Sequence, residues 1–288
     1  MQFDTFIDQA WDDHVRDPRG VAGRLGDVLP LVADERQFIR LADITHHLYG
    51  DHLGDRPAGL AAIGALARHP VHREDGPSGA AVRRFVASLH LSQGDAGVLD
   101  AFGEVEQVRI VALAISNLTD ADWPRAVALF HEVRRRVAAC VPDASDEAHD
   151  DIALMAHNLA AGIEREANPS RDDLELMVLA AQTARHHWGL RGDAADVFPG
   201  EIRLASAWRK SGDVSNARRA AERCVRLAGD GAPLRRFLAW HALALVERDA
   251  ANASACGDAS RVALSAYAEL GAAEQARHAA KRAQLSGA

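Results

Sequence analysis

Histidines carry the first candidate chemistry of this chain, which has 14 of them in 288 residues. His46, His47, Asp51 and His52 form the densest group. On a helix His47 and Asp51, four apart, share one face and suit two ligands of a metal ion, while His46 points about 100° away. A stable site needs three or four converging donors. The group is therefore read as partly buried, hydrogen-bonded histidines at a helix crossing, and no metal is expected. His186 and His187 are adjacent and cannot face one ion from neighbouring helical positions. Asp150, Asp151, His157, Asn158, Glu164 and Glu166 offer acid–base groups, but at the spacing of a solvated helix face.

Cys140, Cys224 and Cys256 are widely spaced and sit in Ala-rich surroundings, where reduced cysteine behaves as a small apolar residue. Burial of Cys224 would raise its thiol pKa and leave it inert. No Gly-Lys-Ser or Gly-Lys-Thr loop is present, nor Gly-x-Ser-x-Gly, nor His-Glu-x-x-His, so the phosphate-loop, nucleophile-elbow and metalloprotease arrangements are missing. The expectation is a protein with no catalytic residue and no cofactor. Four arginine clusters remain: Arg83-Arg84, Arg134-Arg135-Arg136, Arg218-Arg219-Arg223-Arg226 and Arg235-Arg236. They are read as solvated faces with acids nearby; the competing reading is a surface for the carboxylates of an acidic peptide, which the arginine fork suits.

The elements that must position these groups are helices. Apolar residues make up 48% of the chain and aromatic ones 5%, an interior of Ala, Leu and Val that favours close-packed helices over sheets. No stretch alternates cleanly between apolar and polar. The formal net charge of −8 argues against nucleic-acid or membrane binding, which need a basic surface. No run of about 18 apolar residues could span a bilayer, and the acidic N-terminus lacks the basic-then-apolar order of a secretory signal. A cytoplasmic location is expected. Only Lys210 and Lys281 among the 33 basic residues are lysines, the composition of a high-GC bacterial genome.

Along the chain, amphipathic spacing predicts helices from Phe3 to Val15, Glu35 to Tyr49 and 80 to 91, and Asp122-Trp123-Pro124 and Ser170-x-x-Asp173 read as helix starts. Glu104–Leu118 is apolar on nearly every side and reads as a helix buried all round. Gly-Asp recurs at Gly54-Asp55, Gly94-Asp95 and Gly212-Asp213 as an inter-helix turn.

In Phe198–Gly231, Leu204, Ala205 and Trp208 share one face of a helix, and Ala217, Ala221 and Cys224 share one face of the next. This pair resembles the tetratricopeptide repeat, with Leu204-Ala205 at the Leu-Gly positions, Trp208 for Tyr, and Ala217 at the Ala position. Ala126-x-x-x-Phe130 fits the same pattern. The resemblance implies an all-α fold: a right-handed superhelix of about seven antiparallel helical hairpins in a single domain, 1–288. A hinge is expected near 69–79, with capping helices at 3–15 and 272–285.

The resemblance also implies a non-enzymatic scaffold that binds a peptide or partner helix in its concave groove. Its groove positions fall on Ile202, Ser206 and Arg209, with Lys210 beside them, and in the central unit on Val108, Val111, Ile115 and Leu118. Those four are too apolar to stay in water as one patch, so terminal hairpins, a partner or a second copy of the chain (a homodimer) must cover them. The alternative is a small-molecule sensor, similar to the helical repeat arrays of large bacterial transcriptional regulators. In it the hairpin at 146–190 closes a pocket walled by Trp188, Trp208 and His157.

Overall fold

Aspartate or proline starts half of the α-helices, and glycine ends several. The computed structural model describes residues 2–140, 142–192 and 194–285, and among them the chain is all helical, with no strand. In order, the α-helices are α1 (Phe3–Asp13), α2 (Pro18–Val28), α3 (Glu35–His47), α4 (Arg56–Leu66), α5 (Pro77–Gln93), α6 (Glu104–Leu118), α7 (Trp123–Ala139), α8 (Ala148–Arg165), α9 (Arg171–Arg191), α10 (Ala194–Lys210), α11 (Val214–Ala228), α12 (Pro233–Asp249), α13 (Ala253–Ala268) and α14 (Ala272–Ala283). A π-helical turn, Leu48–His52, follows α3, and 3-10 turns cover Leu29–Leu31 and Ala96–Ala101. The side chains of Asp17, Asp34, Asp55, Asp122, Asp213 and Asn252 each accept a hydrogen bond from the first turn of the helix they precede, satisfying an orphan backbone donor. Ser170 and Asp173 form the full reciprocal capping box. Gly54, Gly94 and Gly212 all have positive φ, which explains why glycine precedes Asp55, Asp95 and Asp213: the chain leaves a helix through the left-handed region.

Consecutive helices pack on one another, α6 between α5 and α7, then α9 on α10, α10 on α11, α11 on α12 and α12 on α13. The chain divides into two compact units, one up to Asp151 and one from Ile152 on, the boundary falling within α8. The 69–79 segment is internal to the first unit and is tied down. Ser78, fully buried, donates its hydroxyl to Glu35 Oε1 at 2.7 Å and accepts from the Arg73 N–H at 2.9 Å.

In the N-terminal unit, Phe6, Ile7, Phe38, Leu41, Ile63 and Leu89 form a continuous core under α1 to α5. α6 lies inside the unit, packed against α5, α7 and the π turn. Val108, Val111, Ile115 and Leu118 are at most 1% exposed. These four, expected in a partner groove, are buried core residues on a helix packed against neighbouring elements of its own unit. A polar network runs beside them. His46 Nε2 lies 2.7 Å from Ser88 Oγ and 3.4 Å from Asn117 Nδ2, and Asn117 donates to Ser92 Oγ at 3.2 Å. Burial alone pushes His46 down to about 3, so it is a neutral structural group facing away from His47.

Asp43, on α3, is less well matched. Burial, and then repulsion from Asp151, push it up to about 6 against the pull of Arg84. Because the folded state holds a proton that the unfolded chain has released, stability falls as pH rises from about 4 to about 6. Asp43→Asn is expected to raise stability at neutral pH by up to about 2–3 kcal/mol and to flatten that slope. Thermal unfolding across the range checks it; a variant no more stable than the wild type at neutral pH contradicts it.

In the C-terminal unit, Ala205, Ala217, Ala221 and Cys224 are fully buried and Leu204 nearly so, so small residues let α10 and α11 approach closely. Burial pushes the Cys224 thiol upward, with a further rise from Glu201. Between these helices lie ion pairs. Glu201, 1% exposed, accepts from Arg185 Nε and Arg223 Nε, both at 2.9 Å. Glu247 accepts both arms of Arg218 at 2.5 and 2.9 Å.

Candidate functional site, a cationic pocket in the C-terminal unit

Phe198, Ile202, Ser206 and Arg209 recur at three- and four-residue intervals and so share one face of α10. That face, with α8, α12 and the last turns of α14, surrounds a pocket of about 370 Å³, within the range of about 300–1,000 Å³ typical of small-ligand sites. Ile202, Leu238, Ala242 and Leu245 give it an apolar floor. Among its lining residues three cations, Arg203, Arg209 and Lys281, stand against one carboxylate, Glu164.

That carboxylate is engaged. Glu164 accepts hydrogen bonds from Arg203 Nη1 and from the Ser206 hydroxyl. Arg209 reaches Asp249 at 2.7 Å. Arg203 Nη2 donates to His157 Nε2 at 3.3 Å, which puts the His157 proton on Nδ1. Arg203 Nε and His157 Nδ1 are then buried donors with no acceptor in the protein. Native interiors seldom leave such donors unsatisfied.

Desolvation shapes the charges. Burial pushes Arg203 down to about 10, and burial together with repulsion from Arg203 lowers Lys281. Burial, followed by the nearby cation in each case, pushes His157 and His241 down to about 4. His241 Nε2 is 3.0 Å from Gln284 Oε1, which joins α12 to the segment after α14. The wall is thus neutral imidazole, apolar carbon, two arginines paired with acids and one lysine.

Of the eight groove residues expected from sequence, Ile202, Ser206 and Arg209 line this pocket, and Val108, Val111, Ile115 and Leu118 are buried in the other unit. Lys210 turns away and caps α8, donating to the backbone oxygens of Glu164 at 2.5 Å and Glu166 at 3.1 Å; a cation there complements the helix C-terminus. Of the three wall residues expected for a sensor, His157 lines the pocket and Trp188 packs against its ring at 5.3 Å. Trp208 is outside the lining. Arg203, His241 and Lys281 were not singled out from sequence. His278 and Lys281, one turn apart near the end of a helix carrying one of only two lysines, were the available signal. Arginines of every cluster have internal acceptors: Arg84 holds Glu106, Arg136 holds Glu132, Arg218 and Arg223 hold Glu247 and Glu201, and Arg236 holds Glu269.

Among the described residues no helix is long and apolar enough to cross a membrane. No protein-family model and no curated protein matches the chain. The functional reading therefore rests on the pocket itself.

Proposed function

We propose that the C-terminal unit is a non-enzymatic binding module for a small anionic ligand, one carrying a carboxylate or phosphate, held between α8, α10, α12 and α14. The carrying observation is that two buried donors at the pocket wall, Arg203 Nε and His157 Nδ1, have no protein acceptor, beside Lys281, which has no acid among the lining residues other than the Glu164 already held by Arg203. An anion supplies the missing charge and the missing acceptors together, and arginine's fork suits both chemistries. Two features support binding without turnover. A general base works best with a pKa near the operating pH, and His157 and His241 at about 4 lie well below it. Glu164 is already held by two donors.

This is the small-ligand sensor in preference to the extended peptide groove, because half of the groove's expected residues are core. We also read the hairpins as a degenerate tetratricopeptide-type superhelical array, on the strength of the α10–α11 pair with its buried Leu204, Ala205, Ala217 and Ala221. Titration with inorganic phosphate, pyrophosphate, citrate and succinate at constant ionic strength, followed by thermal shift and calorimetry, tests the binding proposal. One class is expected to bind saturably and to weaken roughly 30-fold or more in Arg203→Gln, the range for removing one partner of a desolvated charge pair. Absence of saturable binding by any of these anions, together with no ligand retained in native mass spectrometry, overturns it.

A further inference from the structure

His14 follows directly on α1, His47 ends α3, and His52 ends the π turn. The packing of α1 on α3 brings all three together. Each offers a ring nitrogen, and these donor atoms lie within 4.8 Å of one another. His47 Nε2 and His52 Nε2 are 3.0 Å apart. The ring centroids are separated by 4.7 to 5.0 Å. No other group of three histidine, cysteine or carboxylate donors converges this way among the described residues.

We propose that His14, His47 and His52 bind one divalent transition-metal ion, zinc being the best fit, in a three-histidine site open to solvent at its fourth position. Zinc takes imidazole nitrogens at about 2.0–2.1 Å in a tetrahedron, which requires neighbouring donors about 3.3 Å apart. The His47–His52 pair is already there, and a short rotation of the half-exposed His14 completes the triad.

Two second contacts orient the rings in the way metal ligands are usually held. His14 Nδ1 lies 2.5 Å from the Trp11 backbone oxygen. A carbonyl can only accept, so the proton sits on Nδ1 and the Nε2 lone pair is free. Asp51 Oδ2 stands 3.5 Å from His47 Nδ1, a carboxylate behind a ligand imidazole. The π turn is the device that makes this possible: its added residue carries His52 back over His47, and π bulges are often found at functional sites. Closure by a metal would tie α1 to the end of α3.

The test uses the full chain, freed of metal with a chelator. Zinc is titrated in competition with a chromophoric chelator, and cobalt is followed by its visible ligand-field bands. One equivalent is expected per chain, with bands of the strength of a four-coordinate ion. His14→Ala and His52→Ala, both at half-exposed positions, should bind at least about 10-fold more weakly, and Asp51→Asn about 10-fold or more, the usual cost of a lost outer-shell partner. His131→Ala, on the exposed side of α7, should match the wild type. If the wild type shows no stoichiometric zinc binding and no such cobalt bands, or if His14→Ala binds as the wild type does, the site does not exist; the wild-type spectrum decides the matter even if a variant misfolds.

Discussion

Replacing Ile115 by arginine is expected to abolish the folded N-terminal unit. Ile115 is 0% exposed on α6, with Ile110, Val111 and Leu118 buried around it. The substitution removes a core side chain, worth roughly 2–5 kcal/mol when truncated, and strands a charge with no partner where water does not reach. The sum, on the order of 5 kcal/mol or more, rivals the whole stability of about 5–15 kcal/mol that a domain has. Leu31→Arg is the matched control: Leu31 is 40% exposed, so its arginine stays in solvent and the change should be within about 0.5 kcal/mol. Far-UV circular dichroism and thermal unfolding of both variants check the pair. A soluble Ile115→Arg protein melting like the wild type would mean that α6 presents this face to an exchangeable partner after all.

The same helix shows what sequence could and could not carry. Local chemistry was readable: the limits of α6, the Asp122 and Ser170 starts, and the Gly-Asp turns follow from propensity, capping and φ alone. Apolarity on all sides said that α6 is covered, but not by what, because that depends on where α5, α7 and the π turn arrive. Ile202, Ser206 and Arg209 were found through one helix face, a local property. Arg203 and Lys281 come to one pocket wall only through the tertiary packing of the C-terminal unit, and the significance of Arg203 lies in a buried Nε with no acceptor beside the Glu164 pair its other nitrogen makes. His14 was missed for a similar reason. Its approach to His47 needs α1 laid on α3, and that of His52 needs a π turn where an α-helix to Tyr49 was expected. Gly50 lets that turn lie close against Asn117 of α6, since a Cβ there would come 2.2 Å from Asn117 Oδ1.

A second glycine gives the other large effect, with a sign opposite to the usual one. Alanine in place of a helical glycine normally stabilises by about 1 kcal/mol, and Gly64, exposed in α4 with open space at its Cβ position, should behave so. Gly79, in the first turn of α5, should not. A Cβ there would lie 1.9 Å from the Glu74 backbone oxygen and 2.7 Å from that of Arg73, well inside van der Waals contact. Backbone is the obstacle, so no rotamer change relieves it. Nor can the 73–79 turn retreat cheaply: the N–H groups of Gly76 and Gly79 both donate to Arg73 O at 3.0 Å, and Ser78 binds Glu35 through its N–H at 2.9 Å and its hydroxyl at 2.7 Å. Moving it far enough to admit a methyl group breaks several of these bonds, at roughly 1 kcal/mol or more each, and Gly79→Ala is expected to cost about 3 kcal/mol or more. Denaturant unfolding of the two variants side by side measures the contrast. Equal shifts of the same sign in Gly64→Ala and Gly79→Ala would show that the turn yields, and that Ser78 and Glu35 do not hold it.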